Sequence, residues 1–417
     1  MNVKITPTKL IGRINAPSSK SFSHRMLIAA ALADGVSEIS NINPSEDIDA
    51  TVDAMTALGA NIYRDGSTYT VKGISTPSQK AVINCRESGS TLRFIIPVAA
   101  VLGCEAEFNG YGKLPTRPIT PYKREMSEKG ITFNHTDGIM PFTMSGKLTG
   151  GVYKLEGDVS SQFITGLLYA LPLCTEDSVI QLTSPLESKP YADMTIAALK
   201  VFGIKIDESA DENGYPVYSI KGGQKYTAAD CSVEGDYSQA AFYFAAEALG
   251  SELTVSNLNE NSVQGDKKIL EIIQEMGYNK LECGKYVPFT VDVADIPDIV
   301  PILTVLGCFT SSESRIVTAK RLKIKESDRL KAIADAVNNI GGNVTAGDDY
   351  LIIRPVERFK GGTIDGCNDH RIVMASAIAS TMSDGAVIIS DCEAVSKSYP
   401  GFWDDFKVLG GRFEFID

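Results

Sequence analysis

Charged and hydroxyl side chains recur at the predicted starts of helices in this chain, where they could bind anions. Lys20 and Ser21 open one apolar segment, and Asp369, His370 and Arg371 open another. The N-terminus of a helix carries a partial positive charge, so a lysine or arginine there is unfavourable by itself. A bound phosphate or carboxylate would make this arrangement favourable. The pattern therefore indicates sites for small anions.

Two carboxylates accompany these cations and could transfer protons. Asp298 precedes the apolar segment 299–307, and Glu326 lies in the charged run 325–329, which also contains Lys325 and Arg329. Carboxylates held in a closed cleft can serve as general acids and bases. Simpler interpretations stay open, because Asp298 can cap the helix that follows it and a charged run is often a solvated face.

Several neutral or isolated polar groups could complete such a site. Gly89 would let the backbone approach a ligand closely, and Arg117 is held between two prolines, which stiffens its loop. Neutral hydrogen-bonding groups stand at two further predicted helix starts: Ser160, Ser161, Gln162, Ser188 and Tyr191. Ordinary N-capping explains the serines equally well. For His370, a buried histidine bonded to a neighbour is a better interpretation than a metal ligand.

A sixfold repeat positions these groups. Six glycines follow amphipathic helical segments at nearly regular intervals: Gly59, Gly130, Gly203, Gly277, Gly341 and Gly410. Each is expected to form a left-handed C-cap. A second, more apolar helix belongs to each copy, and these six helices are predicted to begin near Ser21, Ser90, Ser161, Ser238, Asp298 and His370. Because such helices are apolar on nearly every side, we expect them to be buried.

Each copy is predicted to run strand, helix, strand, helix, strand, strand, so the fold class is α/β (α+β). Three copies precede residue 230 and three follow it, which favours two lobes of three units. The run 221–225, Lys-Gly-Gly-Gln-Lys, is interpreted as a surface turn or a linker between them. A solenoid is the main alternative, but solenoid repeats usually contain about 20–50 residues, fewer than these copies.

Composition excludes several classes of function. The 417 residues carry a net charge of −12, which argues against a general nucleic-acid surface. The eight cysteines form no CxxC pair and there are three histidines, so no zinc site is indicated. The N-terminus lacks the pattern of a signal peptide, and the most apolar stretch, 94–103, is too short to span a membrane. We therefore expect a cytoplasmic protein without nucleic-acid or membrane partners.

Ten motifs in order along residues 17–400 resemble the 5-enolpyruvylshikimate-3-phosphate synthase family of the enolpyruvyl transferase superfamily. They are Lys20-Ser21 with Arg25, Gly89 with Arg93, Thr116-Arg117-Pro118, Ser160-Ser161-Gln162-Phe163, Ser188-Lys189-Pro190-Tyr191, Glu234-Gly235-Asp236, Pro297-Asp298, Lys325-Glu326-Ser327-Asp328-Arg329, Asn368-Asp369-His370-Arg371 and Lys397. The resemblance implies two lobes, each with three βαβαββ units about a pseudo-threefold axis. It also implies that the N-terminal strand joins the second lobe, so we predict a discontinuous lobe of 1–18 plus 232–417 and a continuous lobe of 19–231.

The resemblance further implies transfer of the enolpyruvyl group of phosphoenolpyruvate to the 5-hydroxyl of shikimate 3-phosphate, with release of phosphate. The residues implied for shikimate 3-phosphate are Ser21, Arg25, Ser160, Ser161, Ser188, Tyr191, Asp298 and Lys325. Those implied for phosphoenolpyruvate are Lys20, Gly89, Arg117, Gln162, Arg329, Arg371 and Lys397. As catalytic residues we expect Asp298 to be the base, Glu326 the proton donor and Lys20 a charge stabiliser. Asp47 matches an acidic position near the site. No cofactor or metal is expected, and the protein is predicted to be a monomer.

The chain departs from the family pattern at a few positions. The run 87–91 is Glu-Ser-Gly-Ser-Thr where members often have Asn-Ala-Gly-Thr-Ala, Phe94 replaces a proline, and Arg321 stands where some members have asparagine. Two alternatives remain. The sister enzyme that enolpyruvylates UDP-N-acetylglucosamine usually has a catalytic cysteine, which the loop 112–116 lacks. A non-catalytic, repeat-built binding protein would not need Asp298 and Glu326 beside a cluster of cations.

Overall fold

Two units, each with its own hydrophobic core, make up the computed structural model, which describes residues 1–135 and 140–417. The discontinuous unit contains 1–17 and 235–417, and the continuous unit contains 18–234. The breaks thus follow residues 17 and 234, whereas the breaks predicted from the sequence follow residues 18 and 231. No helix within the described ranges is long and apolar enough to cross a membrane.

The elements alternate between strands and helices, which confirms the mixed α/β class. Within the described part of the chain the α-helices are α1 (Lys20–Leu32), α2 (Glu46–Ala57), α3 (Gly89–Leu102), α4 (Thr120–Ser127), α5 (Ser161–Ala170), α6 (Lys189–Val201), α7 (Tyr237–Ala248), α8 (Lys268–Glu275), α9 (Val300–Gly307), α10 (Arg329–Asn339), α11 (His370–Ala379) and α12 (Phe402–Val408).

The strands are short, and most contain five residues or fewer. They are β1 (Asn2–Thr6), β2 (Ile11–Asn15), β3 (Val36–Ser40), β4 (Asn61–Asp65), β5 (Thr68–Lys72), β6 (Lys80–Asn84), β7 (Glu105–Asn109), β8 (Thr132–His135), β9 (Phe142–Ser145), β10 (Gly151–Leu155), β11 (Ser178–Leu182), β12 (Ile206–Ala210), β13 (Pro216–Ile220), β14 (Cys231–Ser232), β15 (Glu252–Ser256), β16 (Thr290–Asp292), β17 (Ser314–Val317), β18 (Asn343–Ala346), β19 (Tyr350–Arg354), β20 (Gly362–Ile364), β21 (Val387–Ile389) and β22 (Arg412–Ile416).

The odd-numbered helices are the apolar ones, and they are buried along almost their whole length. In α11 every residue is buried, and in α9 likewise. Each begins where its sequence predicts, because a serine or aspartate side chain accepts a hydrogen bond from the first turn in five of the six. The exception is α9, which continues from a 3-10 turn at Pro297–Ile299. The prediction of six buried helices is therefore confirmed.

The even-numbered helices each end at one of the repeat glycines. Gly59, Gly130, Gly203, Gly277, Gly341 and Gly410 all have positive φ, from 81° to 114°. A residue with a side chain is strained in this left-handed region, whereas glycine adopts it freely, which explains the recurrence of glycine at this position. The prediction of left-handed C-caps is confirmed.

The continuous unit contains three four-stranded sheets with one shared plan. Their strand orders are β14-β3-β5-β4, β6-β7-β9-β8 and β10-β11-β13-β12. In each, the first two strands are parallel and the last two form an antiparallel hairpin. The strand β14 comes last in this unit but lies beside β3, so the end of the segment completes the sheet at its beginning.

The discontinuous unit contains the sheets β15-β2, β16-β17-β19-β18 and β20-β21-β1-β22. The strand β2 pairs in parallel with β15, whereas β1 lies antiparallel between β21 and β22. The fourth copy departs from the βαβαββ pattern of the others. Its sheet has two strands, because the described segment between α8 and β16 forms turns instead of a hairpin.

The run 221–225 is not a linker between the two units. It lies inside the continuous unit, where the amide of Gly223 donates to the carbonyl of Cys174 at 2.6 Å and that of Gln224 to Pro172 at 2.9 Å. These bonds attach the turn to the segment that directly follows α5. A glycine pair marks a turn wherever it occurs, so local composition alone could not distinguish an internal turn from a domain boundary.

Candidate active site

In the discontinuous unit, Asp298 is surrounded by cations. Its Oδ1 lies 3.0 Å from an Arg329 guanidinium nitrogen and 3.5 Å from Lys325 Nζ, and its Oδ2 accepts from Arg371 at 3.1 Å. Asp298 lies in the 3-10 turn Pro297–Ile299 that leads into α9 and is not the N-cap residue of that helix. Its carboxylate is held by the charges of the three cations.

Arg329 is held by a second, fully buried carboxylate. Its Nε donates to Asp369 Oδ2 at 2.8 Å and its second terminal nitrogen to Oδ1 at 3.2 Å, a two-pronged pair. Ser327 Oγ donates to the same Oδ2 at 2.8 Å. Burial acts to lower the pKa of Arg329, but the charges of Asp369 and then Asp298 raise it above its usual value. The guanidinium is thus fixed in place while charged.

Glu326 contacts the buried histidine of the same cluster. His370 Nδ1 lies 2.8 Å from Glu326 Oε2, and the His370 ring is almost fully buried at the start of α11. This confirms the interpretation of His370 as a core histidine bonded to a neighbour. Glu326, Asp369 and His370 could together hold a metal ion, since one ligand atom from each lies within 4.8 Å of the others. Asp369 is already engaged by Arg329 and Ser327. That the protein needs no metal stays a prediction.

A further carboxyl group in this unit has an unusual environment. Asp266 is buried, and its Oδ2 accepts a short hydrogen bond from Ser238 Oγ. Burial, and after it the negative charge of Asp298, raise the pKa of Asp266 to about 7, while the Arg371 charge acts in the opposite direction. The protonated form of this carboxyl group is therefore favoured over the ionised form more strongly than in an exposed aspartate.

Lys397 and Lys325 lie near helix starts without opening them. Lys397 ends a 3-10 turn (Cys392–Lys397) and donates from Nζ to the carbonyl of Asn368 at 2.8 Å, two residues before α11. Lys325 follows another 3-10 turn, Lys320–Ile324, and precedes α10 by four residues. Among the cations predicted to bind phosphoenolpyruvate, Lys20, Arg329 and Arg371 do stand in the first turn of a helix.

In the continuous unit, Lys20 opens α1 and is paired with a carboxylate. Lys20 Nζ lies 2.7 Å from Asp47 Oδ2, and both side chains are less than one-fifth exposed. Asp47 lies in the first turn of α2, where a negative charge is favourable. The unfavourable lysine at the start of α1 is therefore offset by an aspartate from the next helix.

Arg25 is buried and makes contacts that join three helices. Its Nε donates to Thr195 Oγ1 at 2.9 Å, and its terminal nitrogens donate to the carbonyls of Ser21 and Tyr191, each at 2.8 Å. The guanidinium also lies 5.3 Å from the centre of the Phe94 ring. Burial lowers the pKa of Arg25 below its usual value. Arg25 thus positions the backbone beside Ser21 and Tyr191, both predicted ligand residues.

Gly89 and Arg117 are brought together although 28 positions separate them in the sequence (117 − 89 = 28). A Cβ atom added to Gly89 would lie 2.4 Å from an Arg117 guanidinium nitrogen. Only glycine permits this close approach, since the side chain of any other residue would occupy the same space. Arg117 follows a 3-10 turn at Leu114–Thr116. The predicted neighbours of one anion therefore lie side by side.

The amide of Gln162 is oriented by two other side chains. Its Oε1 accepts from Arg93 at 2.6 Å and its Nε2 donates to Ser90 Oγ at 3.0 Å. Ser160 caps α5 by accepting from the backbone amide of Gln162. The buried hydroxyl of Ser161 begins the same helix. The capping interpretation is confirmed for Ser160, and it leaves the predicted ligand role of these residues untouched.

Ser188 precedes α6 without capping it through its side chain. Its φ of 60° and ψ of 39° place it in the left-handed region, which is uncommon for a residue with a side chain. Ser188 is also 1% exposed. A strained, buried serine before a helix points to a purpose other than ordinary capping.

Comparisons with known proteins identify the family. The family model described as EPSP synthase (3-phosphoshikimate 1-carboxyvinyltransferase) matches residues 5–406. The 3-phosphoshikimate 1-carboxyvinyltransferase of Clostridium kluyveri is 45% identical over 421 residues, covering 99% of this chain and 98% of the relative. The chain belongs to the EPSP synthase family.

Other relatives of the EPSP synthase family support the same assignment. The 3-phosphoshikimate 1-carboxyvinyltransferase of Clostridium beijerinckii is 43% identical over 431 residues, covering 99% of this chain and 98% of the relative. A solved EPSP synthase from Acinetobacter baumannii has a TM-score of 0.82 and 22% identity, covering 99% of this chain and all of that one. The latter similarity concerns the fold, and it confirms the predicted fold class. The chain is an enzyme.

Some residues of these clusters had no assigned role in the sequence analysis. Asp369 binds Arg329, and its Oδ1 accepts from the backbone amide of Arg371 at 3.0 Å. An aspartate before an apolar helix was a visible capping signal, but its ionic partner was not. For Asp266, burial creates the unusual pKa, and no local pattern in the sequence indicates it.

Proposed function

We propose that this chain transfers the enolpyruvyl group of phosphoenolpyruvate to the 5-hydroxyl of shikimate 3-phosphate, releasing phosphate. This is the family's step in the shikimate pathway, which leads to aromatic amino acids. The observation that carries the proposal is Asp298, a carboxylate held within 3.5 Å of three cationic side chains. Such a group can accept a proton while the cations beside it bind anions.

Cations are needed because both substrates are highly charged anions. Two anions repel each other, and bringing them together requires positive groups that offset this repulsion. In the discontinuous unit we assign Arg329, Arg371 and Lys397 to phosphoenolpyruvate and Lys325 to shikimate 3-phosphate. Arg329 and Arg371 are almost fully buried, which strengthens their interaction with any anion that reaches them.

Groups of the continuous unit are assigned in the same way. For phosphoenolpyruvate they are Lys20, Gly89, Arg117 and Gln162, and for shikimate 3-phosphate they are Ser21, Arg25, Ser160, Ser161, Ser188 and Tyr191. The juxtaposition of Gly89 with Arg117 supports the first set, because it leaves backbone and guanidinium donors side by side. Arg25 is bonded to the backbone of Ser21 and Tyr191, so it acts on the second set by orienting it.

The reaction is an addition followed by an elimination. In the addition, the 5-hydroxyl oxygen bonds to C2 of phosphoenolpyruvate, the hydroxyl loses its proton, and the methylene carbon gains one. In the elimination, the resulting methyl group loses a proton and phosphate leaves from C2. Atoms and charges balance without an oxidant or reductant. Two proton-transfer groups are therefore required, one for the oxygen and one for the carbon.

We assign Asp298 as the base toward the hydroxyl and Glu326 as the proton donor to the methylene carbon. The 2.8 Å contact between Glu326 Oε2 and His370 Nδ1 orients the carboxyl group and provides it with a proton-sharing neighbour. Lys20 stabilises negative charge that develops in the addition. Its orientation depends on Asp47, 2.7 Å from Nζ.

The test is phosphate release from phosphoenolpyruvate with two acceptors offered separately. Release with shikimate 3-phosphate and none with UDP-N-acetylglucosamine is expected. Release only with the nucleotide sugar would favour the sister enzyme, and no release with either would favour a binding protein. Isotope-labelled phosphoenolpyruvate would show the enolpyruvyl group in the product.

Two variants test the proton-transfer roles. Asp298→Asn and Glu326→Gln should each lower kcat by about 100-fold or more, since general acid–base catalysis contributes roughly 10²–10⁴-fold. Substrate binding, followed by calorimetry, should persist in both because the neighbouring cations remain. Near-normal turnover in both variants with intact binding would contradict the assignment. The expected monomeric state and cytoplasmic location stay predictions, to be measured by analytical ultracentrifugation and fractionation.

A further inference from the structure

Three buried polar side chains on α1, α2 and α3 form a continuous chain of hydrogen bonds. His24 Nδ1 lies 2.7 Å from Thr51 Oγ1, which lies 2.7 Å from Thr91 Oγ1. All three residues are at most 1% exposed. They lie beside the apolar core of the continuous unit, where a polar side chain is costly unless it is hydrogen-bonded. A polar chain in such a place needs an explanation other than packing.

The direction of this chain follows from the histidine. Burial lowers the pKa of His24 to about 3, so the ring is neutral at physiological pH. Its Nε2 is buried and has no hydrogen-bond partner among the described residues. A buried N–H without an acceptor is rarer than an acceptor without a donor, so the ring proton belongs on Nδ1. His24 then donates to Thr51, and Thr51 donates to Thr91.

The chain of hydrogen bonds ends at the first turn of α3. Because Thr91 Oγ1 accepts from Thr51, its own proton is available, and Ser88 Oγ lies 2.9 Å away. Ser88 is the N-cap of α3, and its hydroxyl oxygen also accepts from the Thr91 backbone amide at 3.2 Å. Gly89 follows directly. Thr91 Oγ1 lies 3.4 Å from the carbonyl of Asp47 as well, which links the chain to the helix that carries the partner of Lys20.

We propose that His24, Thr51 and Thr91 are positioning residues whose directed hydrogen-bond chain fixes Ser88 and Gly89 for phosphoenolpyruvate binding. This role rests on the proposed function, since Gly89 is assigned to phosphoenolpyruvate there. The chain of hydrogen bonds contacts no reacting atom. It acts by holding the backbone amides at the start of α3 in one arrangement before the ligand arrives, which lowers the ordering cost of binding.

The first experiment reads the histidine directly and does not depend on activity. The protein has three histidines, so ¹⁵N-histidine labelling gives a simple spectrum, and the His24→Phe variant assigns the signals by loss. We expect a neutral His24 ring protonated on Nδ1, unchanged between about pH 5 and pH 8. An Nε2-protonated ring, or titration within this range, would overturn the proposed direction of the chain.

The second experiment separates the hydroxyl of Thr51 from its shape. Thr51→Val removes the hydroxyl with little change of volume and should raise the KM for phosphoenolpyruvate about fivefold, the value expected for one lost hydrogen bond. The KM for shikimate 3-phosphate and kcat should stay within about twofold. Thr51→Ser retains the hydroxyl and should restore the KM for phosphoenolpyruvate. Equal effects of both variants would mean that packing matters and the hydroxyl does not.

A matched control comes from the other unit. Thr304 is equally buried inside α9, and its hydroxyl donates to the Val300 carbonyl of its own helix at 2.9 Å. Thr304→Val should leave the KM for phosphoenolpyruvate unchanged, and a similar rise in this control would refute a specific role for Thr51. If the wild-type enzyme released no phosphate, the proposed function would fail, while the spectrum would still decide the direction of the chain. If Thr51→Val did not fold, that spectrum would decide alone.

Discussion

Replacing Asp369 with asparagine should destabilise the discontinuous unit strongly. The Asp369 and Arg329 side chains are 0% and 3% exposed, and two hydrogen bonds of 2.8 and 3.2 Å join them. In Asp369→Asn the amide nitrogen would face a donor of Arg329 or the backbone amide of Arg371. Breaking a buried ion pair costs about 3–5 kcal/mol. In this variant Arg329 still has Asp298 as a charge partner at 3.0 Å. We therefore expect a loss at the lower end of this range, about 3 kcal/mol.

The single tryptophan makes the measurement specific for this unit. Trp403 lies in α12 and is 7% exposed, so its fluorescence follows the unfolding of the discontinuous unit. A loss of about 3 kcal/mol in the free energy of unfolding corresponds to a fall of about 1 M in the urea concentration at the unfolding midpoint. The control is Asp335→Asn, which breaks the exposed pair with Lys331 and should cost about 0.5 kcal/mol or less. Equal midpoints for the two variants would refute the reasoning.

The pH dependence provides an independent check on this prediction. Burial acts to raise the pKa of Asp369, but the charge of Arg329 outweighs it, so the pKa lies below its usual value. The stability from this carboxylate is therefore fully present above the unfolded pKa of about 3.9 and is lost as the pH falls through the folded pKa. The difference in the free energy of unfolding between wild type and Asp369→Asn should stay constant from about pH 5 to pH 8 and become smaller below about pH 4.

Three further changes test other parts of the two clusters. Gly89→Ala places a Cβ 2.4 Å from an Arg117 nitrogen, and the displaced guanidinium should raise the KM for phosphoenolpyruvate about tenfold without lowering the urea midpoint. Lys20→Met removes the cation beside Asp47 and should lower kcat in the phosphate-release assay about 100-fold. Because the pKa of Asp266 is raised to about 7, its contribution to stability falls as the pH rises from about 4 to about 7. Asp266→Asn should flatten this part of the stability profile in urea titrations, and an unchanged slope would contradict the raised pKa.

The helices were the most predictable part of the fold. An amphipathic helix was predicted before Gly341, and α10 spans Arg329–Asn339. Two strands were predicted to follow that helix in each copy, and β4 and β5 after Gly59 are an example. In both cases the determining interactions lie within a few residues of one another, so the pattern is visible in a short window.

The strand partners of the chain ends could not be derived from such windows. The strand β1 pairs with residues 387–389 of β21 and 412–416 of β22, at the other end of the chain. Nothing in the local sequence of β1 identifies these partners. The missing hairpin of the fourth copy has a similar origin. The segment after Gly277 has turn residues, but only its packing shows that no further strand joins β15. Pairing over long distances is decided by tertiary packing.

Part of the candidate site could likewise be predicted from the sequence, and part could not. Residue types near helix starts indicated anions and proton transfer, and the family resemblance indicated which positions to examine. Sequence patterns did not show that Arg329 pairs with Asp369 or that Gly89 makes room for Arg117. They also did not show that Lys325 directly follows a 3-10 turn and lies four residues before the start of α10. Side-chain partners depend on how the helices pack, which no single helix encodes.

The sequence by itself determined the number of repeats, the positions of the buried helices and their glycine ends, because periodicity and C-cap geometry are local properties of the chain. Only the tertiary structure decided which carboxylate holds which cation. It also decided that β1 and β2 complete sheets of the discontinuous unit, and that burial raises the pKa of Asp266. Charges and pKa values depend on solvent exclusion and on neighbours distant in sequence, so they exist only once the chain has folded.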